Sequence, residues 1–153
     1  MITNDEILVL LADAVQTGSG VRIFVSGRSM GPAYASVSDI QVVPCVLTSI
    51  PVGRLVVFQR DGRWVVHRVM WRIRRADGVM YLTKGDGLSE LDQPCIQASE
   101  IKGMVSGLGF KGGATMDPLS FSSRFKSGWI VIRFWIGRLL VPFGRDPRPG
   151  HPA

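Results

Sequence analysis

Three short segments of this 153-residue chain carry side chains suited to acyl transfer. The first is Gly27-Arg28-Ser29-Met30-Gly31-Pro32, in which a strand-like run ends at a glycine and a Gly-Pro turn follows the serine. Such a break presents the Ser29 hydroxyl and backbone N–H outside a sheet, where a peptide carbonyl can be attacked and its oxyanion held. Serine is also common in ordinary turns, so this segment indicates a nucleophile only together with the others.

The second segment contains His67, in an alternating apolar run between Val66 and Arg68. A single histidine in a strand is usually a structural residue. A neutral imidazole beside a serine hydroxyl is nevertheless what general-base catalysis requires. The positive charge of Arg68 favours the neutral imidazole, so His67 is the candidate base.

The third segment is the glycine-containing run from Leu82 to Asp92, with carboxylates at Asp86 and Asp92. Either carboxylate can orient a histidine or clamp a loop, and either can be a solvated turn residue. The sequence leaves open which of the two contacts His67.

In this order the segments resemble the type I signal peptidases. The shared features are a Ser-Met-x-Pro box at Ser29, a G-x-x-V-V-F hairpin from Gly53, V-H-R-V around His67, and T-K-G-D followed by an aspartate six residues later. The resemblance covers about residues 25–92. It is closest to the branch of archaea, the endoplasmic reticulum and some Gram-positive bacteria, in which His replaces the catalytic Lys.

The resemblance implies that Ser29 is the nucleophile, with its own backbone N–H at the oxyanion, and that His67 is the general base. It assigns Asp92 to orienting the histidine and Asp86 to a supporting role. It also implies extended peptide substrates with small residues just before the cut, docked as an added strand on a sheet edge. Neither a cofactor nor a metal is expected.

The elements that must position these side chains are strands. Eighteen Gly and nine Pro interrupt Val/Ile-rich runs, which favours a mainly β domain over a helix bundle. The patterns predict strands at residues 21–25, 40–43, 55–58, 64–73, 79–83 and 101–108. Asp-Gly pairs at 61–62 and 77–78 predict hairpin turns. An antiparallel sheet or open barrel follows, and the resemblance implies the β-ribbon, partly open barrel of signal peptidase and LexA-like proteins.

The chain divides into four predicted parts. Residues 1–20 hold a short N-terminal helix, because Asn4 suits an N-cap and apolar residues follow at helical spacing. An acidic start and a short apolar run argue against a secretory signal. Residues 21–116 form the peptidase-like β domain. Residues 117–144 form an apolar, basic, amphipathic helical segment, and residues 145–153 form a flexible tail.

The C-terminal segment runs through WIVIRFWIGRLLVPF, from Trp129 to Phe143, and contains two arginines. It falls short of the roughly 20 apolar residues that span a bilayer. Its aromatic and basic residues suit a helix lying in a membrane interface. Packing on the core or on a partner, and a short true span, are the alternatives. Peripheral membrane association is therefore expected, with the side of the membrane open.

Charge and cysteines add two further expectations. The net charge of +6 suits an anionic partner, but no nucleic-acid-binding motif accompanies it, so no nucleic-acid partner is expected. A solvated basic face and a lipid role remain alternatives. Cys45 and Cys95 show neither redox nor metal spacing. Free thiols are favoured, and one disulfide remains an alternative.

The function predicted is that of a serine endopeptidase of the signal peptidase type. It would cleave extended precursor or signal peptides after small residues by Ser/His/Asp catalysis. One alternative is a soluble maturation protease for a ribosomally made precursor peptide, since no membrane helix precedes Ser29 in this sequence. The other is an inactive peptide-binding module that retains the fold.

Overall fold

The computed structural model describes residues 9, 13, 14, 17, 19–25, 29–116, 131, 132 and 134. The helix predicted within residues 1–20 and the segment 117–144 fall mostly outside these residues and stay predictions, and the tail 145–153 lies wholly outside them. In the described part of the chain, no helix is both long enough and apolar enough to cross a bilayer.

The described residues form one antiparallel eight-stranded sheet that does not close on itself, which confirms the prediction of a mainly β fold. The strands are β1 (Val21–Phe24), β2 (Val37–Val43), β3 (Leu55–Arg60), β4 (Arg63–Arg75), β5 (Gly78–Lys84), β6 (Ile96–Gln97), β7 (Ile101–Phe110) and β8 (Thr115–Met116). Their order is β1-β2-β7-β3-β4-β5-β6, with β8 paired to β7. Two 3-10 turns, Pro32–Tyr34 and Ala98–Glu100, precede β2 and β7.

The six predicted strands are all present, with ends that differ by up to three residues. The two-residue strands β6 and β8 were not predicted, because they are too short to show a hydrophobic period. In the β3–β4 turn both Asp61 (φ 50°) and Gly62 (φ 69°) have positive φ, as a type I′ hairpin requires. In the β4–β5 turn Arg75 pairs with Gly78, so the turn is centred on residues 76–77, one residue earlier than predicted.

Strand β3 is buried on both faces of the sheet. Leu55 and Val57 belong to one apolar cluster, whereas Val56 and Phe58 belong to a second. Alternate side chains of a strand point to opposite faces, so the unbroken apolar run of β3 contributes to both cores. β3 therefore lies in the middle of the sheet and fixes the position of the neighbouring strand β4, which carries His67.

Strand β4 changes its partners halfway along its length. Its first half pairs only with β3, up to Arg68 opposite Leu55. From Arg68, opposite Lys84, it also pairs with β5. In the described sheet, the β5-side edge of residues 63–67 is therefore unpaired, and so is the outer edge of β1. His67 is the last residue of β4 before its pairing with β5 begins.

Candidate active site

The imidazole of His67 is hydrogen-bonded to the carboxylate of Asp92, with Nδ1 2.6 Å from Oδ2. Thr83 donates its hydroxyl to the same oxygen at 2.6 Å. The register explains this meeting, since Val69 pairs with Thr83 and His67, two residues earlier on β4, shares that face. The backbone N–H of Asp92 donates to the carbonyl of Thr83 at 2.8 Å. Asp92 is thus the carboxylate that contacts the histidine.

Asp92 also lies near a guanidinium from β3. Arg60 Nη1 is 3.8 Å from Asp92 Oδ1, and Arg60 Nη2 donates to the carbonyl of Pro94 at 2.8 Å. Burial alone would raise the pKa of the Asp92 carboxyl. The hydrogen bonds from His67 and Thr83, with the charges of His67 and Arg60, outweigh that effect and lower this pKa. Asp92 is therefore a carboxylate at neutral pH.

Ser29 lies in the turn that leads into the first 3-10 helix, and the loop after β5 holds its backbone. Gly87 donates its N–H to the carbonyl of Ser29 at 2.8 Å. At Gly31 φ is 76°, and a Cβ there would lie 2.9 Å from the Cα of Gly87. A glycine is required at this point because the two loops touch through their backbones. Residues 26–28, which immediately precede Ser29 in the chain, lie outside the described residues.

The backbone carbonyl of Ser29 and the imidazole of His67 both lie beside Gly85. A Cβ built on Gly85 would collide with the carbonyl oxygen of Ser29 and lie 3.0 Å from His67 Nε2. Ser29 and His67 also line one cavity. Within the described part of the chain, the Ser29 hydroxyl has no hydrogen-bond partner. Bonds between nucleophile and base are often long in unliganded enzymes and tighten only when substrate binds.

The two nitrogens of His67 thus have separate surroundings. Nδ1 is bonded to Asp92, while Nε2 faces the turn of Ser29. In a serine hydrolase the first nitrogen is held by a carboxylate, and the second accepts the proton of the hydroxyl. The arrangement of these three residues is chemically suited to that division of roles.

Asp86 pairs with Arg68, and no contact to His67 is found for it among the described residues. Arg68 is 2% exposed and donates from Nε and Nη2 to the two oxygens of Asp86, at 2.8 and 2.6 Å. It also donates to the carbonyl of Gly53 at 2.6 Å and to the hydroxyl of Tyr34 at 2.7 Å. The guanidinium therefore ties three loops together, a role that the sequence did not indicate.

The charge of Arg68 is offset within this cluster. Burial by itself lowers the pKa of Arg68, but the hydrogen bonds and charge of Asp86 outweigh burial and raise it. The charged group bonded to His67 is Asp92, whereas Arg68 is bonded to Asp86.

A cavity of about 860 Å³ extends from Ser29 and His67 along the inside of the sheet. It is bordered by two consecutive runs, residues 23–25 at the end of β1 and just beyond it, and residues 64–66 of β4. The cavity therefore reaches β1 and β4, two strands that each have an unpaired edge in the described sheet.

Several contributors to the site were not predicted from the sequence. Thr83 belongs to the T-K-G-D motif, but its bond to Asp92 follows only from the strand register. Arg60 and Tyr34 lie far from the motifs they contact, and only the fold brings them there. A further contact joins the buried Lys84 to the C-terminal segment, since its ammonium lies 5.4 Å from the ring centroid of Phe134.

Metal and thiol chemistry receive no support at this site. Across the described residues, no three His, Cys, Asp or Glu side chains are arranged to hold a metal ion. Cys45 and Cys95 are free thiols, and burial raises the pKa of Cys45. Neither cysteine lines the cavity.

The described fold is an open antiparallel sheet in which Ser29 and His67 line one cavity and Asp92 is bonded to His67. No protein-family model and no curated protein matches this chain. Evidence for its function therefore comes from its own residues.

Replacing Gly85 by alanine should disable the site without unfolding the domain. The new Cβ would meet the Ser29 carbonyl and would lie 3.1 Å from Leu88 Cδ1, so the serine turn must shift. A displacement of about 1 Å can cost about a hundredfold in rate. Acylation of Ser29 by a serine-reactive probe measures the loss. Gly107→Ala is the matched control, because its Cβ meets only the side chain of Gln41, at 3.3 Å. Equal labelling of both variants would contradict this crowding.

Proposed function

We propose that the chain is a serine endopeptidase of the signal peptidase type. The observation that carries the proposal is the orientation of His67, with Nδ1 bonded to Asp92 at 2.6 Å and Nε2 facing the turn of Ser29. The proposal also adopts the LexA-like, partly open barrel that the resemblance implies. The open antiparallel sheet is compatible with it.

In the proposed mechanism, His67 Nε2 takes the proton of the Ser29 hydroxyl as Oγ attacks the scissile carbonyl. The backbone N–H of Ser29 donates to the oxyanion of the tetrahedral intermediate. The protonated imidazole then gives its proton to the leaving amine, and a water hydrolyses the acyl-enzyme. Asp92 holds the imidazole with Nδ1–H towards it and stabilises the imidazolium, while Thr83 fixes the carboxylate.

The substrate in this proposal is an extended peptide that lies between β1 and β4. Both strands have an unpaired edge at the cavity, and such edges bind a further strand through backbone hydrogen bonds. The residue just before the bond cut is small. That restriction is what the resemblance to the signal peptidases implies.

We further propose peripheral membrane association through Trp129 to Phe143. Support comes from the composition of this segment, which is apolar and aromatic with two arginines. On a membrane the natural substrates would be signal or precursor peptides. A soluble enzyme that trims a ribosomally made precursor would use the same chemistry.

A serine-reactive acylating probe tests the catalytic proposal directly. The wild-type protein should be labelled on Ser29, as located by mass spectrometry of the labelled peptide. Ser29→Ala should abolish both labelling and cleavage of a precursor peptide with alanine before the cut.

Ser38→Ala is the control for this experiment, because Ser38 lines the same cavity but its hydroxyl donates to Asp39, at 2.9 Å. This variant should keep its activity. Full labelling and cleavage by Ser29→Ala would refute the mechanism and would favour a peptide-binding module without catalysis.

A further inference from the structure

The cavity beside Ser29 is much larger than a small side chain needs. Its volume of about 860 Å³ lies in the upper part of the usual range for ligand pockets. All but four of its described lining residues are apolar, the exceptions being Ser29, Ser38, His67 and Lys111. The floor is formed by core side chains, among them Ile40, Leu55, Val57 and Leu108.

Most of this cavity lies beyond the reacting pair. Of its described lining residues, Ser29 and His67 belong to that pair, and the others are chiefly aliphatic and aromatic side chains. A peptide that places its scissile bond at Ser29 therefore has a wide, apolar space beside its neighbouring residues.

We infer that the protein selects peptides carrying a bulky apolar side chain within about four residues of the bond cut. This inference rests on the proposed function and names the substrate class of the same site. The cavity is bordered by three consecutive residues at the end of β1 and three of β4, so it extends along about three residues of an extended chain. Burial of a leucine or phenylalanine there removes apolar surface from water, whereas an alanine leaves the space unfilled.

The charges at the cavity point the same way. The described lining residues include one lysine, Lys111, and no carboxylate. A lysine or arginine of the peptide would lose water there without gaining an ionic partner. Basic side chains should therefore be rejected at the position where leucine or phenylalanine is preferred.

Peptide binding tests the inference apart from catalysis. Fluorescein-labelled decapeptides rich in alanine and glycine would carry one Leu, Ala or Lys, scanned through each position on both sides of an alanine. Binding to the full-length Ser29→Ala variant, measured by fluorescence anisotropy, should be about tenfold tighter for Leu than for Ala at one or two positions. Lys should bind no better than Ala there. The wild type should show the same order in kcat/KM.

A cavity-filling variant makes the test specific. Ala35 is an exposed residue at the cavity wall, and Ala35→Phe should remove the preference for Leu over Ala while Ser29 remains labelled by the acylating probe. Ala76→Phe is the matched control, because Ala76 is an exposed residue of the β4–β5 turn outside the cavity.

The outcomes separate this inference from the proposed function. Labelling of Ser29 with equal binding of the Leu and Ala peptides overturns the inference and leaves the peptidase standing. Selective binding of the Leu peptide without labelling or cleavage supports the inference and overturns the peptidase. Selective binding that survives Ala35→Phe places the apolar site elsewhere and also overturns the inference.

Discussion

Asp92→Asn should lower kcat/KM for a precursor peptide by about ten-thousand-fold, the effect seen when the third member of a serine-hydrolase triad is made neutral. The carboxylate accepts hydrogen bonds from both His67 and Thr83 on one oxygen. An asparagine amide can turn its NH₂ group towards Nδ1, which then becomes the acceptor and leaves the proton on Nε2. A histidine in that tautomer cannot take a proton from Ser29.

The pH dependence sharpens this prediction. Because the pKa of Asp92 is lowered from its ordinary value of 3.8, the wild-type carboxylate stays ionised throughout the neutral range. Ionisation of Asp92 should therefore add no pH dependence of its own to the deficit of Asp92→Asn between about pH 6 and pH 8. Initial rates at several pH values, with urea unfolding of both proteins, provide the measurement.

Asp39→Asn provides the comparison for Asp92→Asn. Asp39 pairs with the exposed Arg22 at 3.4 Å, outside the cavity lining, so this variant should retain wild-type rates. Should Asp92→Asn cleave as fast as Asp39→Asn, the carboxylate would have no part in catalysis, and the bond to His67 would be structural only.

The second large effect concerns stability. Asp86→Ala should lower the free energy of unfolding by about 3–5 kcal/mol, because it leaves a buried guanidinium without its counter-charge. Arg68 is 2% exposed and donates hydrogen bonds to both carboxylate oxygens of Asp86. Arg22→Ala is the matched control, because it removes an ion pair at the surface. The side chain of Arg22 is 69% exposed and pairs with Asp39. A surface pair contributes about 0–1 kcal/mol.

Urea denaturation of the three proteins measures these differences. A double variant, Arg68→Met with Asp86→Leu, separates charge burial from packing. Replacing a buried ion pair by apolar groups of similar volume is often neutral or stabilising, so the double variant should recover much of the loss. If Asp86→Ala were no less stable than Arg22→Ala, Arg68 would not depend on this carboxylate.

The sheet was largely predictable because its strands carry period-two patterns or continuous apolar runs. β3 (Leu55–Arg60) is visible from its apolar sequence alone, and the Asp-Gly pair at 61–62 fixes its hairpin with β4. β6 (Ile96–Gln97) has only two residues, which pair with Tyr81 and Met80 of β5. No local pattern indicates a strand of that length.

The site was predictable in its residue types but not in its pairings. The ordered motifs indicated Ser29, His67, Asp86 and Asp92, but the residues alone left open which aspartate contacts His67, and only the resemblance assigned Asp92 to it. Their partners depend on the faces of β4, where successive residues point in opposite directions. One face presents His67 to Asp92, and the next residue, Arg68, reaches Asp86. Arg60 comes from the end of β3 and Tyr34 from the first 3-10 helix, and no local sequence pattern indicates their contacts with the site.

The unpaired edges of β1 and β4 have a consequence for which proteins can reach the cavity. A peptide bound between them must offer its own backbone N–H and C=O groups. In segments already folded into helices or sheets, those groups are engaged in internal hydrogen bonds. The cavity would thus bind only unfolded segments of a polypeptide, whatever their side chains. Nascent chains, leader segments and tails would be open to it, and the folded body of the same protein would be spared.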